Sequence, residues 1–157
     1  MIGNPLKIPN ILVNVVFPDS TGASDPNLNN WTDTETVAAA AKVTLACNWW
    51  KARAPACLRL SFLVSTVYAS TGYEPILHPT DTVGSMLCPG DTGQGKWISQ
   101  IMDALEPSAA LHPCYFDKVV AFSDARRTDP NIDSDWSLTI FIVQDTIDPN
   151  PDLNGNG

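Results

Sequence analysis

The chain has 157 residues, a formal net charge of -8, 44% hydrophobic and 17% charged residues. That is the size and balance of one globular domain, and it excludes a disordered, collagen-like or coiled-coil protein. The acidic balance speaks against a reader of nucleic-acid phosphates, and no apolar run approaches the roughly 20 residues that span a bilayer.

Residues 8–17 read Ile-Pro-Asn-Ile-Leu-Val-Asn-Val-Val-Phe. Asn10 and Asn14 interrupt the run and Pro18-Asp19 follows it, where a secretory signal would have an unbroken core and a small-residue cleavage site. A buried first strand is expected. Thr32-Asp33-Thr34-Glu35 has the form of a capping box, in which hydroxyl and carboxylate each take an orphan N–H. From it a helix should run to about Arg53, where Ala54-Pro55 stops it. Val37, Ala41, Leu45 and Trp49 are its expected apolar stripe, and core packing is the expected role of Trp49 and Trp50.

A second strand is expected over residues 58–68, followed by a long surface connection at 70–93 pinned by Cys88. A helix over 95–105 should bury Trp97, Ile98, Ile101, Met102 and Leu105. Another over 113–126, with Pro113 in its first turn, carries Phe116, Val119, Val120 and Phe122 as apolar positions. The last strand, 136–143, is as apolar as the first, and both read as strands covered on two faces. The order β-α-β-α-α-β predicts an α/β fold: three layers, a largely parallel sheet covered by helices, and an acidic C-terminal loop. The division is an α/β domain at 1–145 and a tail at 146–157.

Four cysteines, Cys47, Cys57, Cys88 and Cys114, contain no C-x-x-C pair, and His78 and His112 are the only histidines. A structural zinc site is not spelled. Two disulfides and an oxidising, extracellular compartment are expected, with Cys47–Cys57 and Cys88–Cys114 favoured by proximity among three possible connectivities. Asn30-Trp31-Thr32 is a glycosylation sequon.

Beyond Arg127 there is no Lys or Arg, while Asp129, Asp133, Asp135, Asp145, Asp148 and Asp152 all follow. Asp148, Asn150, Asp152, Asn154 and Asn156 alternate with prolines and glycines. Calcium takes six to eight oxygens at about 2.3–2.6 Å from such side chains on a turning loop. The expected metal set is therefore Asp145, Asp148, Asn150, Asp152, Asn154 and Asn156, completed by Asp133, Asp135 or Asp129, or by another chain. Like carboxylates held close repel, which favours a cation.

Gly90-Asp91-Thr92-Gly93-Gln94-Gly95-Lys96 has the spacing of a phosphate-cradling loop. Trp97 offers magnesium no hydroxyl, Asp91 is the wrong charge, and no clear strand precedes the loop, so nucleotide binding is not expected. His78 and His112 each precede a proline in a connection, and no nucleophile elbow is present.

Several fragments together resemble the N-terminal half of large secreted bacterial proteins of metallopeptidase-like type. They are Asn48-Trp49-Trp50, Leu60-Ser61-Phe62, Thr71-Gly72-Tyr73-Glu74-Pro75-Ile76, Lys96-Trp97-Ile98 through Met102, Arg127, and Asp135-Trp136 before Ile140-Phe141-Ile142-Val143. In that family an H-E-x-x-H helix follows the Asp/Asn-rich turn. This chain has no such motif, so the family's catalytic residues map onto no position here. The expected function is a secreted, non-catalytic, calcium-binding structural domain that associates with itself into filaments, through strand addition at an exposed edge or through shared calcium. The alternative is the N-terminal part of a zinc metallopeptidase.

Overall fold

The computed structural model describes residues 10–26, 29–55, 58–75 and 94–144. Among the described residues three strands and three α-helices follow in the order β1 (Asn10–Ser20), α1 (Asp33–Arg53), β2 (Ser61–Thr71), α2 (Gln94–Leu105), α3 (Tyr115–Thr128) and β3 (Trp136–Phe141). A 3₁₀ turn at Pro107–Leu111 separates α2 from α3. The sheet is parallel throughout, in the order β2-β1-β3. This is the expected α/β architecture.

β1 is the central strand. Leu12, Val13, Val15, Val16 and Phe17 are all buried, as an unbroken apolar run requires when helices cover both faces. Val13, Val15 and Phe17 pack with Ala39, Ala40, Val43 and Cys47 of α1. Val16 packs on the other side with Trp97, Ile101 and Met102 of α2 and Phe122 of α3. Pro18 is tolerated in this strand for a specific reason. The Ile142 N–H donates to Val16 O at 3.0 Å, so the even residues of β1 address β3. The β3 ladder ends at Val16 and Phe141, and the N–H that proline lacks has no strand opposite it.

The capping box of α1 forms as expected. Thr32 Oγ1 accepts from Glu35 N at 3.3 Å, and Glu35 Oε2 accepts from Thr32 N at 3.0 Å. The helix ends at Arg53, before Ala54-Pro55. β2 begins at Ser61, three residues later than expected. Leu58 N donates to Pro55 O at 2.8 Å and Arg59 is left-handed at φ 42°, so the first residues of the apolar run turn the chain.

Two expectations about the layers are corrected. Among the described residues β3 lies at an edge of the sheet, and Trp136 and Leu138 are 68% and 51% exposed, so it is not covered on both faces. The buried stripe of α1 is Thr36, Ala39, Ala40, Val43 and Cys47, not Val37, Ala41, Leu45 and Trp49. α2 buries Trp97, Ile98, Ile101 and Met102 as expected and half-buries Leu105, while on α3 Val119 and Phe122 pack inward and Phe116 and Val120 face out. Among the described residues no helix is long and apolar enough to cross a membrane.

Candidate functional site

The tail residues Asp145, Asp148, Asn150, Asp152, Asn154 and Asn156 lie outside the described residues. The remaining expected ligands lie in the turn between α3 and β3, each with a local partner. Asp135 Oδ2 accepts from Asn10 N at 3.0 Å, and the Asp135 N–H donates to Asn10 O at 2.8 Å. Asp133, left-handed at φ 47°, offers its carbonyl to Asn10 Nδ2 at 3.2 Å. Asp129 Oδ1 accepts both N–H and Nδ2 of Asn131 at 2.9 Å, and these bonds, the backbone one foremost, hold its pKa below the usual value. β3 and the three residues after it run on the order of 25 Å at strand rise. Asp133 and Asp135 thus sit at the opposite end of the strand from Gln144, where the described chain ends. No group of three potential ligands occurs among the described residues.

The cysteines divide. Cys47 is a free, buried thiol, which corrects the expected Cys47–Cys57 bond. It packs on Val13, Val15 and Phe17 as a small apolar residue, and burial pushes its pKa up. Cys114, at the N-cap of α3, is disulfide-bonded. Cys57 and Cys88 lie outside the described residues.

At the carboxyl ends of β1 and β2 a cavity of about 230 Å³ is lined by Phe17, Asp19, Tyr68 and Ser70 together with Thr32 and Thr36, and beside it the loops that follow the two strands are tied to each other and to α2. Gln100 of α2 accepts from Thr71 Oγ1 and from Gly72 N, both at 2.7 Å. Gly72 O in turn accepts from Ser24 N at 2.8 Å and Asp25 N at 3.2 Å. The buried Asp25 accepts from Glu74 N at 3.2 Å, and the buried Glu74 from Asn29 Nδ2 at 3.5 Å. A Cβ on Gly72 would stand 3.1 Å from Ser24 Oγ, so a side chain there would make the serine give by a few tenths of an ångström. These residues escaped sequence reasoning. The one usable signal was the glycine directly after an apolar strand, which marks close backbone approach.

A second polar network crosses the sheet beneath α3. Arg126 donates to Ser65 Oγ of β2 at 2.9 Å and to Asn14 Oδ1 of β1 at 3.5 Å. Asn14, fully buried, donates onward to Ser137 Oγ and Thr139 Oγ1 of β3 at 2.9 and 3.4 Å. One cation thereby links all three strands.

The motif at Gly90–Lys96 falls mostly outside the described residues. Its last part opens α2, where Trp97 is buried against Phe141 and donates its indole N–H to Gln94 Oε1 at 2.8 Å. That position serves the core.

The described residues leave exposed apolar side chains on α1 and β3, and also on β2 (Leu63, Tyr68), on α3 (Phe116, Val120) and at Leu58 and Leu111. Val37, Leu45, Trp49 and Trp50 are 67%, 68%, 49% and 63% exposed, so the tryptophans are not core residues. Their rings meet edge to face at 5.1 Å, and the Arg53 guanidinium lies 3.8 Å over Trp49. Between α1 and the residues after β3 runs a groove of about 540 Å³, lined by Trp31, Ala39, Val43, Ala46 and Ile142. Gln144 Nε2 donates to Glu35 Oε1 at 2.9 Å beside it. Exposed apolar patches of this kind mark association surfaces. No protein-family model, no curated protein and no solved structure matches this chain.

Proposed function

We propose that the chain is a non-catalytic, extracellular association domain that pairs with further copies of itself and carries a calcium-gripping acidic tail. The observation that carries this reading is the open edge of the sheet. β3 has a partner on one side only among the described residues, and Trp136 and Leu138 on it are exposed. An unblocked edge strand pairs with another strand. The two buried polar networks support a scaffold role, since their side chains are spent on holding strands and loops together. The disulfide at Cys114 and the exposed Asn30 of the sequon support an extracellular location. The calcium assignment is supported by the spacing of oxygen side chains from Asp145 to Asn156.

Sedimentation velocity in calcium and in chelator tests the reading. Larger species in calcium that shrink in chelator are expected. An unchanged monomer in both would overturn it. The same open edge favours a second reading, in which further strands of a larger, metallopeptidase-like protein pair with β3. A reading frame that continues into H-E-x-x-H would decide for it.

A further inference from the structure

We infer that α1 is a homodimer contact, in which two copies pack their α1 helices antiparallel about a twofold axis at the level of Val43. The inference rests on the association reading above and names the surface and the partner.

Three observations on this helix converge. Its outer face carries Val37, Ala41, Leu45 and Trp49 at a spacing of four, all exposed. Trp49 exposes on the order of 100 Å² of it, and Val37, Ala41 and Leu45 bring the stripe to on the order of 400 Å², the size of an interaction patch. Doubled across a twofold axis, this is the area of a weak, reversible interface.

The spacing is also self-complementary. In an antiparallel pair centred at Val43, Val37 stands at the level of the second copy's Trp49, and Ala41 at the level of its Leu45. At the inner levels the small Ala41 leaves room for the larger Leu45.

The charges agree with the same register. The first turn holds Asp33 and Glu35, and the last holds Lys51 and Arg53. The antiparallel arrangement brings Asp33 near the second copy's Lys51 and Glu35 near its Arg53, twice by symmetry, and opposes the two helix dipoles. Two acidic chains at -8 each repel, yet α1 itself counts Lys42, Lys51 and Arg53 against Asp33 and Glu35, a local balance of +1. The helix is thus a place where two copies can approach.

The experiment is light scattering on gel filtration and sedimentation equilibrium of the whole chain, in chelator, from about 10 μM to 1 mM. α1 carries no calcium set, so the dimer should persist without calcium. Leu45→Glu, at an exposed position, should weaken it by about a hundredfold. Asp33→Lys or Lys51→Asp alone should weaken it by about tenfold, and the double swap should restore it. Circular dichroism and unfolding midpoints of each variant confirm that the fold is kept. A dimer indifferent to Leu45→Glu, or charge variants that the double swap does not rescue, would overturn the α1 contact while leaving association by β3 standing. A wild-type chain monomeric at 1 mM in chelator but assembling in calcium would also overturn this contact alone. A chain monomeric under both conditions would overturn both.

Discussion

Asn10 and Asp135 hold each other twice, once through the Asp135 N–H to Asn10 O and once through the Asp135 carboxylate to Asn10 N. The pair fixes the start of β3 beside the start of β1. It also gives a residue expected to bind metal a role in sheet assembly. Asp135→Ala removes the acceptor and leaves the part-buried Asn10 N–H short of a partner. A loss of about 1–2 kcal/mol is expected, read as a lower denaturant midpoint with unchanged slope.

The Arg126 network should be the more sensitive. Arg126→Met leaves Asn14 Oδ1, in a fully buried side chain, and Ser65 without their donor. The expected cost is about 1–3 kcal/mol. Arg126→Lys should recover little of it, since an ammonium cannot span both acceptors with a planar fork. Chemical denaturation of the two variants checks this.

The α1 cap predicts a pH dependence. The Thr32 hydroxyl, then the Thr32 N–H and Gln144, hold the Glu35 pKa below its usual 4.5. A carboxylate whose pKa falls on folding adds stability above its unfolded value and loses it as pH falls through the folded one. The gap in stability between wild type and Glu35→Gln should therefore be steady near neutrality and close as acid is added below about pH 5. Thr32→Ala should cost about 1 kcal/mol at neutral pH. Thermal melts across pH measure both.

Cys47 should resist a water-soluble thiol reagent in the folded protein and react once denaturant is added, because it is buried and its pKa is raised. Peptide mapping after labelling identifies the site. Rapid labelling of Cys47 under native conditions would contradict its placement under α1.

The central strand and the caps were legible because their signals are local. Continuous burial of β1 needs only its own run of apolar residues, and the capping box needs only Thr32 and Glu35. The coverage of β3 was misread as two-sided because its overall composition matches that of β1. Yet Trp136-Ser137-Leu138-Thr139-Ile140 alternates, as a half-covered strand does. The face of α1 was misread because Ala38 to Ala41 are small and apolar all round, so two stripes fit the same helix. Burial went to the one carrying Thr36, Val43 and Cys47. The polar cluster at Thr71, Gly72, Glu74 and Gln100 depends on contacts between distant loops and α2, which no local pattern encodes.

Amide hydrogen exchange along β3 tests the association claim most directly. In the parallel ladder Ile142 donates to Val16, so the N–H groups of Ser137, Thr139 and Phe141 alternate away from β1 toward the open side. Their exchange should slow as protein concentration rises and slow further with calcium, as another strand takes them up. Equal, fast exchange at those three amides under every condition would contradict the account.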